Sequence, residues 1–347
     1  MDSSRKELID FLRHSVASII GRGANLTEGY KFGVELELEG RRLGGDGAEL
    51  PRWQAHIDGS VPRGIEWVLI KPLVFEDTLK AVDELWDSFK NWNTVIDNSY
   101  RTSTHIHLNF SDKRVADVIN FFVLFTIFEE VLTTYCGDNR KGNFFCLGAR
   151  EAEAIVSMME ESIERSSFRH TFGDNVRYGA MNLNALSKFG SIEIRTMRGI
   201  DKKEELVEWL HILNRLYEYA CKTDNPPSNL LESLSFLGPK GFMESVFGPD
   251  LTKILTQNYS EIGLHQSLYE GLRLVQMLCY SLFDVWEEAK KSNIILPSVK
   301  KMSAMDEYLR AIDPGNLVPP PRGGNVVVPN PVRNGRPRFA ADLDEDI

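Results

Sequence analysis

Phe32-Gly33-Val34-Glu35-Leu36-Glu37-Leu38-Glu39 alternates strictly, with three carboxylates on one side and Val34, Leu36 and Leu38 on the other. A period of two predicts a strand with one apolar and one acidic face. Like charges two residues apart on such a strand stand about 7 Å from each other. Shielding that face from water raises their pKa values unless a metal ion or arginine compensates. Read alone, the segment is a half-buried strand whose glutamates face water; two later segments that carry the same alternation with different chemistry overturn that reading.

In Thr104-His105-Ile106-His107-Leu108-Asn109-Phe110, two imidazoles and an amide share one face, and Ile106, Leu108 and Phe110 the other. In Ser191-Ile192-Glu193-Ile194-Arg195-Thr196-Met197, Glu193 and Arg195 oppose Ile192, Ile194 and Thr196. Three strands therefore offer an apolar face to a helix layer and a face of Glu, His and Arg, the pattern of a polar active surface on a sheet. A His-x-His pair alone is either structural or a metal site of unspecified kind. Between the first two strands, His56-Ile57-Asp58-Gly59-Ser60 is a turn by composition, and Gly64-Ile65-Glu66-Trp67-Val68-Leu69-Ile70-Lys71-Pro72-Leu73 an apolar strand closed by proline. Asp58 and Glu66 extend the carboxylate set. Asp-Gly-Ser is also a common turn, whereas Glu66 is the one acid in an aliphatic strand.

The order of these motifs resembles the amidoligases of the carboxylate–amine ligase superfamily: Gly33 to Glu37, Asp58 to Glu66, His105 to His107, an Arg and Asn segment from Arg177 to Asn184, and Glu193 to Arg195. The resemblance covers roughly residues 30 to 215. Arg195-Thr196-Met197-Arg198-Gly199-Ile200-Asp201, followed by a helix with Trp209, is similar to the family's continuation, except that Ile200 stands where a threonine is usual. The resemblance implies a glutamine-synthetase-like fold: α+β, with a mainly antiparallel curved sheet, helices on one face and a helical C-terminal portion. It implies ATP-dependent joining of a carboxylate to an amine through an acyl phosphate, with Mg²⁺ or Mn²⁺. Glu35, Glu37, Asp58, Glu66, His105 and Glu193 would hold metal, and the hard oxygen donors suit those ions better than zinc. His105 would alternatively contact a phosphate, His107 would lie near the nucleotide, and Arg195, with Arg177, would face the transferred phosphoryl group. Asn182 and Asn184 either orient substrate or are ordinary strand-edge amides.

Other nucleotide-binding routes are missing from the sequence. No Gly-x4-Gly-Lys-Ser/Thr segment occurs, and no Gly-x-Gly-x-x-Gly opens a helix after a strand. Gly44-Gly45-Asp46-Gly47 reads as a loop near a site entrance, and seryl nucleophile elbows and Cys-x-x-Cys pairs are absent. The formal net charge of −10, with scattered Lys and Arg, argues against a nucleic-acid surface. Four cysteines without disulfide spacing fit reduced thiols and a cytoplasmic protein. Charged residues punctuate the first helix, so no secretion signal is expected, and the apolar run 118–128 is too short to span a bilayer.

The expected order is a helix over 4–20, strands over 31–40 and 64–73, a helix over 76–92, the His-x-His strand, and an aromatic core helix over 112–136. A basic turn at Arg140-Lys141-Gly142-Asn143 reads as a solvated loop, with phosphate binding as the other reading. A helix over 150–163 follows, then a hairpin whose turn is Ser187-Lys188-Phe189-Gly190. One amidoligase domain is expected over 1–312, its sheet core about 30–215 and its helical portion about 216–312, with helices near 230–236, 249–258, 264–290 and 302–312. The Pro- and Gly-rich, acidic-ended tail, 313–347, is expected to be extended and available to a protein partner. Substrate choice is expected in loops 41–56 and 136–150. The substrates would be small molecules or peptides, and the oligomeric state stays open. A metal-dependent hydrolase using His105 and His107 is a second reading, although a barrel hydrolase would carry its His-x-His early among repeating strand–helix units. A binding protein that keeps the fold without turnover is a third.

Overall fold

The computed structural model describes residues 3–20, 29–57, 59, 61, 64–151, 154–168, 178–221 and 227–291. Asp58, Arg177, the helix expected over 302–312 and the tail 313–347 lie outside the described residues.

The chain opens with α1 (Ser3–Arg13) and α2 (Val16–Ile20). The single helix expected there is interrupted because Val16 N donates to Lys113 O and Val115 N to His14 O, a short cross-link that replaces helical bonds. The expected acidic strand is β1 (Phe32–Arg41), followed by β2 (Trp53–His56) and β3 (Gly64–Leu69). β2 was not expected; it falls inside a segment that composition marks as loop and turn. Next come α3 (Phe75–Asn91), β4 (Val95–Ile96), β5 (Ser103–Asn109) and α4 (Val115–Cys136). Asp117 starts α4 by accepting the Arg114 backbone N–H at 3.0 Å and its guanidinium at 2.7 Å.

Two single-turn 3-10 helices, Asp138–Arg140 and Phe144–Cys146, lead to α5 (Ala154–Glu164). The expected antiparallel pair is present as β6 (Met181–Asn182) and β7 (Ser191–Arg198), but α6 (Asn184–Phe189) connects them in place of the expected tight turn. Asn182 Oδ1 accepts the Asn184 N–H, and Gly190 ends the helical turn with its N–H on Leu186 O. The last elements are α7 (Lys203–Ala220), α8 (Pro227–Phe247, broken at Gly238), α9 (Pro249–Thr256) and α10 (Glu261–Lys291).

The strands form one antiparallel sheet in the order β2-β3-β1-β5-β7-β6, with β4 paired to the far end of β1. The molecule is thus α+β. Val34, Leu36, Leu38, Ile106, Leu108, Ile192 and Ile194 are all fully buried on the face that joins the core. α4 is apolar almost all round because it is covered almost all round, by β7, α7, α8 and α10. The later helices therefore build a second layer over α4. Gly271 lets α10 approach closely, since any side chain there would collide with the backbone oxygens of Thr126 and Ile127. Among the described residues no helix is long and apolar enough to cross a membrane, and all four cysteines are free thiols.

Glu129, buried in α4, accepts one hydrogen bond, from Ala149 N at 2.7 Å. Burial pushes its pKa up from 4.5 to about 8. Between those values the folded chain holds a proton that the unfolded chain has released, so stability falls as pH rises through that window. Glu129→Gln should melt like the wild type near pH 4 and several degrees higher at about pH 8; thermal melts across pH check this. Leu36→Asp, which buries a charge in the core, should cost more than about 4 kcal/mol in denaturant titration.

Candidate functional site

The register of the sheet lines up the polar side chains on its other face. Glu37 lies opposite Glu66, Glu35 opposite His105, and His107 opposite both Gly33 and Glu193. Asn182 of β6 lies opposite Glu193 on its outer side. Gly33 matters because a Cβ there would come within 3.1 Å of His107 Cβ, so its absence leaves the histidine room. Of the sequence-expected residues, Glu35, Glu37, Glu66, His105, His107, Glu193 and Arg195 are brought to this face.

Glu35 sits between the two histidines, its Oε2 3.2 Å from His105 Nδ1 and its Oε1 3.2 Å from His107 Nε2. Burial alone would raise its pKa, but the hydrogen bond with His105 and the closeness of both imidazoles outweigh burial and hold it well below the usual carboxylate range. Glu193 is likewise held low against burial by His105 and Arg195. Arg195 Nη1 donates to Glu193 Oε1 at 2.5 Å, and Asn182 Nδ2 donates to Glu193 Oε2 at 2.6 Å. Glu37 accepts the Ser103 N–H at 2.9 Å and the Ser103 hydroxyl at 2.5 Å. Ser103 Oγ in turn lies 2.7 Å from His105 Nε2. Both His105 nitrogens are therefore engaged, and Glu37 fixes Ser103, which fixes His105.

One atom stands out. His107 Nε2 is buried and makes no well-aligned hydrogen bond, although Glu35 Oε1 is near, while its Nδ1 is steadied by Ser191 Oγ at 3.2 Å. Ligand atoms of Glu35, His107 and Glu193 lie within 4.8 Å of one another. Two carboxylates and an imidazole nitrogen anchored through its other nitrogen suit a divalent cation. The trio includes His107, which the resemblance places beside the nucleotide, and leaves out His105, Glu37 and Glu66 from the expected ligand set. Without a metal ion, burial depresses the His107 pKa but the close Glu35 carboxylate raises it on balance.

Two clefts meet at Glu35. One, of about 350 Å³, is lined by Glu35, Glu37, Glu66, Ser103, His105, Asn182 and Arg195, with Arg101, Lys188, Phe145 and Tyr178 as walls. The other, of about 370 Å³, is bounded by Glu35, His107, Asn109, Ser191, Lys31 and Lys71, with Ile70, Pro72 and Phe189 as apolar walls. Of the two loops expected to set substrate choice, 136–150 contributes Phe145. No described residue of 41–56 lines either cleft. Ser103, Ser191, Arg101, Lys188, Phe145 and Tyr178 were not singled out from the sequence. The two serines flank the His-x-His and Glu-x-Arg strands, and that adjacency is the only sequence signal for any of the six.

A β-bulge decides where Arg195 points. Thr104 pairs with Met197, but Ile106 pairs with Ile194, so β7 carries one extra residue opposite His105. The carbonyls of Arg195 and Thr196 turn to Arg140 instead, which donates to them at 2.8 and 2.9 Å. Arg140 is 1% exposed. It is neither solvated nor in the cleft, because it serves carbonyls that the bulge releases, whereas Lys141 and Gly142 of the same turn are exposed as expected of a solvated loop.

Neither the protein-family models nor the curated proteins compared with this chain give a match.

The low pKa values of Glu35 and Glu193 contribute stability that is present above the ordinary carboxylate range and lost as pH falls through and below it. The raised His107 contributes stability present below the ordinary imidazole range and lost as pH rises through its folded value. In chelator-treated protein, Glu35→Gln should lower the melting temperature at neutral pH and show a shallower acid decline than the wild type. Parallel acid limbs would contradict the ion-pair assignment.

Proposed function

We propose that the protein is an ATP-dependent carboxylate–amine ligase of glutamine-synthetase-like fold, using Mg²⁺ or Mn²⁺. The observation that carries this reading is the position of Glu35, a member of the trio with His107 and Glu193, at the junction of two clefts of different character. Ligation needs a nucleotide, a carboxylate and an amine to meet at one carbonyl, and a metal-holding group between two chambers suits that demand. Arg101, Lys188 and Arg195 fringe the acidic cleft, and Phe145 and Tyr178 wall it. Cations beside carboxylates fit a polyphosphate that arrives with its metal ion, and aromatic walls fit a base.

Glu35, His107 and Glu193 would hold the ion, with the remaining positions left to waters and phosphate oxygens. ATP would supply the activation of the carboxylate by phosphoryl transfer. Arg195 would present its guanidinium to phosphoryl oxygens from a backbone fixed by the bulge and by Arg140. Ser103 and Glu37 would hold the His105 ring in place, and Lys31 and Lys71 would draw an anionic substrate into the second cleft. One histidine and two carboxylates with open positions also suit water activation, and this favours metal-dependent hydrolysis as the second reading.

Calorimetry on the full chain should show ATP binding that requires Mg²⁺ or Mn²⁺, and a screen of carboxylate and amine pairs should release ADP. Glu35→Gln should weaken metal binding about tenfold or more. Arg195→Lys should reduce turnover far more than nucleotide binding, because a point charge cannot reproduce a bidentate contact. Absence of metal-dependent ATP binding to folded protein would remove the ligase reading, and metal-only hydrolysis would install the second.

A further inference from the structure

Away from the clefts, a third cavity of about 180 Å³ lies between α4, α10 and the loop that carries Arg140 and Gly148. Its charged lining divides into paired and unpaired groups. Arg150 reaches Glu130 at 3.4 Å and Glu270 at 3.8 Å, and Lys141 reaches Asp138 at 3.3 Å. Arg140 has no carboxylate within 4 Å among the described residues. Its Nε and Nη2 serve backbone carbonyls, and its buried Nη1, on the cavity wall, has no partner. A guanidinium cannot shed its charge, so a buried one without a counter-ion is costly.

The acids on the other wall likewise lack a cation partner, and Glu129 keeps its proton at neutral pH until one arrives. A Cβ on Gly148 would lie 2.7 Å from Glu151 Oε2 and 3.0 Å from Glu129 Oε2, so these two carboxylates converge over that glycine. Neither has a cation within 4 Å among the described residues, and the Ala149 N–H is the one hydrogen bond to Glu129. From α10, Ser267 Oγ is buried on the cavity wall without a partner. One cavity thus carries an unpaired cation, an unpaired acid pair and an unpaired hydroxyl. It is too roomy for one or two waters alone.

We propose that this cavity binds a free α-amino acid, with Arg140 and Ser267 taking its carboxylate and Glu129 and Glu151 its ammonium group. An inorganic anion would satisfy Arg140 and leave the acids facing it; a metal cation would do the reverse. A zwitterion answers both. Arg140 also holds the carbonyls of Arg195 and Thr196, and Phe145 on the same loop walls the acidic cleft. Occupancy of the cavity would therefore stiffen the support of that cleft, which makes the amino acid an effector. The proposal does not depend on the ligase reading.

The test is a thermal-shift screen of the full chain against the standard amino acids, followed by calorimetry on any that bind. Acetate, ethylamine and inorganic phosphate serve as single-charge probes. At least one amino acid should bind one to one, and none of the single-charge probes should match it. Glu129→Gln should weaken that binding about tenfold or more, Ser267→Leu should fill the cavity and abolish it, and Glu35→Gln in the cleft should leave it unchanged. No binding by any amino acid to folded protein would overturn the proposal. So would phosphate or acetate binding as tightly, or binding that survives Glu129→Gln and is lost in Glu35→Gln.

Discussion

The constraint on which the site depends is the withdrawal of Glu35, Glu37 and Glu193 from water on one face of one sheet. Carboxylates that close would not all stay ionised unless each found donors. Each does: Glu35 lies between two imidazoles, Glu37 accepts twice from Ser103, and Glu193 receives Arg195 on one oxygen and Asn182 on the other. Strand register supplies these donors, because β5 runs between β1 and β7 and presents histidines to acids on both sides. A slip of one residue would send every acid into the core and every aliphatic side chain into the cleft. The apolar face, pinned by α4, therefore specifies the polar one.

The exception to perfect register is as informative as the rule. The bulge in β7 breaks the ladder opposite His105, aims Arg195 at Glu193, and moves the next core position from Thr196 to Met197. The freed carbonyls are taken by Arg140, which arrives from the far end of α4. One buried guanidinium thereby ties the polar face of the sheet to its helix layer.

The alternating strands were legible because a period of two needs no knowledge of partners. The aromatic run 118–128 was legible as a core helix for a similar reason, since a segment apolar all round has to be covered. What stayed hidden depends on partners distant in sequence. β2 spans four residues and is a strand only because β3 pairs with it. The Ser187-Lys188-Phe189-Gly190 turn signal is real, but it closes a helical turn, since Asn182 and Gly190 supply caps that a tight hairpin would not use. Arg140 looked solvated because its partners are backbone carbonyls some fifty residues away, created by a bulge that no local pattern announces. Ser103 carries no mark of its own; its importance comes from lying between Glu37 and His105. The roles expected of Asp58 and Arg177 fall outside the described residues.

Glu193 is where the electrostatics of the proposed ligase would turn. Its two oxygens are already committed, one to Arg195 and one to Asn182. The carboxylate cannot give Oε1 in full both to a divalent ion and to the guanidinium. An ion held with Glu35 and His107 would therefore loosen the Arg195 contact, and a loosened guanidinium on the rim of the cleft seeks another anion. The two events favour each other reciprocally: cation uptake would make Arg195 more available to phosphate, and phosphate on Arg195 would make Glu193 a better ligand. A site that compensates its acids internally when empty can thus stay folded without metal, and exchange that compensation for ligands when they arrive together.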